Sequence, residues 1–235
     1  MGRCAERGSA LVVVILVSSL LQVLGAMLVL SALSETYIAA HVRDGIESLH
    51  AADAGLERAV VALEGLPDWD AALAGAAASV FVDGAPGVRH MADGTVVDLN
   101  ATTNRMRCGM PAGCSDASMQ ATTGERPWGR NNPRWQLFAY GPVRRIVSSD
   151  GVDSTAYVVV WLADDPSEND GNPLADGGDP ERIDASNLAN MGRGVVRLTA
   201  TAYGPGTARR TLEATVVRAG PPLSRVRTMA WGEIR

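Results

Sequence analysis

The chain has 235 residues, a net charge of −5 at pH 7 and a pI near 5.2. An acidic chain whose arginines are scattered lacks the basic patch that a phosphate backbone needs, which excludes nucleic acid as a partner. It contains no lysine, so P-loop and lysine Schiff-base chemistry, each of which requires the ammonium group, are excluded too.

Residues 1–8, MGRCAERG, carry Arg3 and Arg7 against the single acid Glu6. Positive charge beside a first apolar run holds that end in the cytoplasm, and the remainder is then exported. Between Arg7 and Glu35 no residue is charged, a stretch longer than the ~20 residues that cross a bilayer core. A cleavable secretory signal has an apolar core of about 7–15 residues followed by a small-residue cut site. Here the run is longer and continues into a helix, so a retained span is expected.

Beyond the span Ile38, Val42, Ile46, Leu49, Leu56, Val60 and Leu63 recur at the spacing of one apolar stripe. Residues 9–64 therefore read as one helix, with 9–34 apolar all round and transmembrane and 35–64 amphipathic. Such a helix is roughly 80 Å long at 1.5 Å per residue, far more than a membrane's thickness, so its second half must pack against the rest of the chain. Gln22, with Ser18, Ser19 and Gly25 nearby, serves either close packing between spanning helices or nothing beyond a tolerated amide. His41 and His50 fall on opposite faces, so they are no metal pair and belong in solvent.

The junction Arg7-Gly8-Ser9, followed at once by the apolar helix, resembles a type IV prepilin leader. The resemblance implies cleavage between Gly8 and Ser9 by the prepilin peptidase and methylation of the new amino group on Ser9, Cys4 leaving with the leader. The segment SALVVVILVSSLLQVLGAMLVLSAL, then RDGIESLHAADAGLERAV, is similar to the N-terminal region of PilX-like minor pilins, with their A-x-E/D-A-G-L segment at Ala51 to Leu56. In major pilins the fifth mature residue is a glutamate that neutralises a neighbour's amino terminus; here that residue is Val13. Loss of such a pairing is a strong term in low dielectric. The departure fits a minor pilin, or the K-type pseudopilin of a type II secretion system, rather than an abundant filament subunit.

Gly65-Leu66-Pro67 is expected to end the helix, glycine through a left-handed cap and proline by being unable to continue. A second short helix is expected over Asp68 to Val80. From Asp83 to Arg134 the apolar periodicity fades, and the stretch reads as irregular apart from one short strand at Val96, Val97 and Leu99. Cys108 and Cys114 bracket the loop CGMPAGC; in an oxidising compartment they would form a disulfide, the alternative being two thiols in a loop. They fall short of the four ligands of a zinc site. Asn100-Ala101-Thr102 matches a glycosylation sequon, a pattern of low specificity.

After Pro133 come four strand-like segments, Trp135 to Ile146, Ala156 to Ala163, Gly194 to Tyr203 and Thr211 to Arg218. YGPGTAR reads as the hairpin loop between the last two, with Gly204 and Gly206 supplying unusual dihedrals. Arg225 to Ile234 could add an edge strand. An antiparallel sheet follows, one face wet and the other covered by the amphipathic half of the long helix.

Asp164 to Asp184 is rich in carboxylates. The spacing does not meet the EF-hand pattern; the segment is either a solvated acidic loop or a calcium site built from Asp165, Glu168, Asp170 and Asp176. No H-E-x-x-H, G-x-S-x-G or Gly-rich dinucleotide turn occurs, and His90 is the one histidine beyond the long helix, so no enzymatic activity and no cofactor is expected.

The expected fold is α+β and pilin-like: leader 1–8, long helix 9–64, and a head over 65–235 containing the antiparallel sheet. The resemblance implies a minor pilin in type IV pilus assembly, as a priming or tip subunit. Its implied partners are other pilins, the inner membrane before assembly and the prepilin peptidase. Its head would lie in the periplasm, then on the pilus surface. A signal-anchored adhesive or calcium-binding module is the competing reading.

Overall fold

The computed structural model describes residues 6–146, 153–168, 171–177, 194–218 and 226–234. They belong to two compact units, Met1–Arg43 and Asp44–Arg235. Helix α1 (Glu6–Glu64) is continuous, starting in the first unit and ending in the second.

In the first unit the large apolar side chains from Leu11 to Leu33 are all 48–72% exposed. By length and composition this part of α1 is able to cross a membrane. Two of its hydroxyls bond back to the helix: Ser19 Oγ donates to the Ile15 carbonyl at 2.8 Å and Thr36 Oγ1 to that of Ala32 at 2.8 Å.

The second unit is built on a five-stranded antiparallel sheet. Its strands are β3 (Gln136–Pro142), β4 (Tyr157–Asp164), β5 (Val195–Tyr203), β6 (Arg209–Arg218) and β7 (Val226–Ile234), paired in chain order as a meander. Residues 44–64 of α1 cover one face. Together these elements give an α+β fold consistent with a pilin-like architecture. Leu56 and Leu63 pack with Val158, Val160, Leu198, Leu212 and Val216 in the main core.

The face that α1 turns to the sheet is only partly the stripe that apolar spacing predicts. Ile46 is 50% exposed, whereas Ser48, Ala51, Ala52, Gly55 and Ala59 are buried. Small residues win because helix and sheet approach closely. A Cβ on Gly55 would collide with the Val158 side chain, and one on Gly204 with that of Ser48. Ser48 tolerates burial because its Oγ donates to the Asp44 carbonyl at 2.8 Å.

The end of α1 also differs from expectation. Gly65 is not left-handed. The terminal carbonyl of Leu63 accepts from Leu66 N at 3.2 Å and Trp69 Nε1 at 3.1 Å, and just past the helix Arg218 donates to Leu66 O at 3.1 Å and Pro67 O at 2.8 Å. The Arg218 guanidinium stacks 4.5 Å from the Trp69 ring centroid. The second helix expected over Asp68 to Val80 shrinks to α2 (Asp70–Leu73). The following chain then runs beside β3, with Ser79 N donating to Phe138 O at 2.9 Å and Tyr140 N to Phe81 O at 3.0 Å. Val80 points outward, 85% exposed.

The other face of the sheet is not wet. All eight residues of β4 are buried, and a second cluster joins Tyr157, Val159 and Trp161 to Met91, Val97 and Leu99. The cover is a hairpin of β1 (Val88–His90) and β2 (Val96–Asp98) with helix α3 (Leu99–Cys108), so the unit has three layers. Helix α3 lies in a stretch that periodicity marks as irregular. Asp98 caps it by accepting from Asn100 N at 2.9 Å and Ala101 N at 3.1 Å, and Gly109, at φ 78°, closes it. Cys108, in its last turn, is disulfide-bonded to Cys114, with Cα atoms 5.8 Å apart. Two further short helices, α4 (Asp116–Gln120) and α5 (Val143–Ile146), complete the unit, the second cutting short the strand predicted to reach Ile146. In the hairpin between β5 and β6, Gly206 takes a positive φ but Gly204 does not.

Several tyrosines sit at this second layer with the phenol partly out of water. Burial is the main cause that raises the pKa of Tyr203 and of Tyr157, Arg209 and Arg89 respectively opposing it. A raised folded-state value adds stability that is complete below tyrosine's ordinary value of about 10 and is lost as pH rises through the folded value. Thermal unfolding followed from pH 8 to pH 11.5 is therefore expected to show a steepening loss of stability above about pH 10, and Tyr203→Phe a shallower one.

Candidate functional site

Two regions bear on function: the exposed apolar helix surface and an acidic cluster at the end of β4. In the first, Gly8 and Ser9 both lie within α1, and Val13, fifth after Gly8, is 57% exposed. The leader residues 1–5 lie outside the described residues. His41 and His50 are exposed, as expected of residues on opposite faces of a helix.

The acidic cluster starts where β4 runs out of apolar residues. Asp164 is its last residue and is 3% exposed. The chain then turns: Asp165 accepts from Ser167 N at 3.1 Å and Ser167 Oγ at 2.8 Å, and Glu168 N donates to Asp165 O at 3.1 Å. The turn folds Glu168, 2% exposed, back beside Asp164. Asp176 arrives from further along, its amide donating to Asp70 Oδ1 at 2.8 Å and its Oδ1 accepting from Gly194 N at 2.6 Å. One carboxylate oxygen from each of Asp164, Glu168 and Asp176 lies within 4.8 Å of the others. Asn131 Nδ2 fixes the turn from outside by donating to the Glu168 carbonyl.

Of the four residues that sequence reading groups for calcium, Glu168 and Asp176 do converge. Asp165 does not, because its carboxylate is taken up by Ser167, and Asp170 lies outside the described residues. Asp164 takes the place of Asp165. The signal for it was available, as a charged residue closing an otherwise apolar strand. Oxygen donors at this spacing are of the kind that a hard cation such as calcium coordinates. Among the described residues this is the one group of histidine, cysteine or carboxylate side chains that converges in this way.

His90 is exposed on β1. Arg89, its neighbour, is absorbed in structure: Nε donates to Tyr157 Oη at 3.2 Å, one terminal nitrogen donates to Ala85 O at 2.8 Å, and the side chain pairs with Asp83 at 3.8 Å. The chain matches no protein-family model, no curated protein and no solved structure.

Proposed function

We propose that the chain is a minor subunit of a type IV pilus, inserted through the first half of α1 and taking part in assembly as a priming or tip subunit. The observation that carries this reading is the character of α1. One unbroken helix joins an uncharged surface, exposed all round, to a small-residue face that packs on an antiparallel sheet. An ordinary anchor needs only the first of these. A helix that stays intact from lipid into a folded unit can be moved from the bilayer to a bundle of like helices at little cost, because both surroundings are equally apolar and the helix keeps its own backbone bonds.

In this mechanism Gly8 and Ser9 are the processing residues. Cleavage between them leaves an apolar end with no charged side chain before Glu35. Val13 does not supply a carboxylate to a neighbouring amino terminus, so the subunit is tolerated at few positions in a filament rather than repeated along it. The folded unit stays on the periplasmic side until assembly, and the Cys108–Cys114 disulfide suits that compartment.

The test is the fate of the chain in its own cell. Filaments sheared from the surface should contain it at low stoichiometry, and deleting its gene should reduce the number of surface filaments. Normal filament numbers in the deletion strain, with the chain absent from the sheared fraction, would refute the proposal.

A further inference from the structure

The two edges of the sheet are treated differently. The outer edge of β3 is occupied by the segment from Ser79 to Val82, bonded through Phe138 O and Tyr140 N and bridged at Val82–Tyr140. Among the described residues nothing pairs with the outer edge of β7. That edge is long, and besides the exposed charges of Arg227 and Glu233 it shows large apolar side chains: Met229 is 66% exposed, Trp231 53% and Ile234 45%.

Beside it, on the helix-covered face, runs a groove of about 380 Å³ between α1 and the β6–β7 pair, lined by Leu56, Val60, Ala214 and Trp231 with Asp53 and Glu57. The two carboxylates are one helical turn apart, a spacing at which like charges repel. Among the described residues neither makes an ion pair, and no basic residue lines the groove. An open strand edge, an exposed tryptophan and two uncompensated carboxylates thus lie side by side within one compact unit.

We propose that this edge binds an extended segment of another protein that carries alternating apolar and basic side chains. The segment adds to the sheet beyond β7. Its backbone takes the free hydrogen-bonding groups of β7, its basic side chains all fall on the helix-covered face, where they reach Asp53 and Glu57 and lie over Trp231, and its apolar side chains fall on the opposite face. Charge selects the occupant: a strand with acidic side chains at those positions would meet two like charges. The inference does not depend on the filament reading, since it rests on residues 44–235 alone.

The test uses the full chain in detergent micelles and three synthetic ten-residue peptides. One alternates valine and arginine, the second alternates valine and glutamate, and the third is the first with every second backbone amide N-methylated. Binding is followed by nuclear magnetic resonance of backbone amides. The valine–arginine peptide is expected to shift the β7 amides and to bind at least about tenfold more tightly than the glutamate peptide. The methylated peptide is expected to lose binding, and Asp53→Asn with Glu57→Gln to abolish the charge preference while leaving the fold unchanged by circular dichroism. Absence of β7 shifts with the first peptide at about 1 mM would overturn the proposal. So would equal binding of the basic and acidic peptides, or a charge preference that survives in the double variant.

Discussion

Trp161→Ala is expected to destabilise the folded unit by about 3–5 kcal/mol, the range for removing a large buried aromatic. Trp161 is 1% exposed and lies at the centre of β4, paired with Leu137 and Thr199. It packs in the cluster that joins the sheet to Leu99 and Val97. Its Nε1 donates to Thr103 Oγ1 at 2.8 Å, and Thr103 in turn donates to Leu99 O at 2.7 Å. Truncation therefore opens a cavity between two layers and cuts the link from sheet to α3. Trp161→Phe retains most of the volume and loses the hydrogen bond, so a cost nearer 1 kcal/mol is expected. Denaturant unfolding of the full chain in detergent checks both values. A similar small cost for the two variants would mean that the second layer is not packed as described.

Leu21→Arg is expected to remove the chain from the sheared filament fraction. Leu21 is mid-way along the uncharged stretch and 63% exposed, so nothing in the chain itself would receive the guanidinium. An arginine at the centre of a spanning helix costs about 2.5–3.5 kcal/mol to insert, and the same charge would be uncompensated inside a bundle of apolar helices. Leu21→Phe keeps the surface apolar and should behave as the parent. Quantitative immunoblots of membrane and sheared fractions make the comparison; parental levels of the arginine variant in both fractions would show that this surface is not used.

The elements most legible in sequence were those with a sustained pattern. The long helix, the last two strands and the edge strand β7 follow directly from charge-free length, alternation and flanking turn residues. The face of α1 that packs was only half legible, since Gly55, Ser48 and Ala59 contribute by being small, and smallness leaves no mark in an apolar periodicity. The covering layer over the second face escaped for a related reason. AYVVVWLA does not alternate, which is the mark of a strand buried on both sides, yet what buries it is α3, whose residues are mostly polar. Asp98 and Gly109, its cap residues, were the available signals. In the acidic cluster the turn made by Asp165 and Ser167 determines which carboxylates meet, and linear spacing could not show that Asp164 rather than Asp165 faces Glu168.

For the proposed role this helix must begin, in the mature protein, at Ser9 and then be shared with other subunits. Intact mass and N-terminal fragmentation of the chain purified from its own membranes test this most directly. The prediction is a single mature species starting at Ser9 with a methylated amino group. A chain that retains Met1, or one cut beyond the apolar stretch after Ser34, would contradict it.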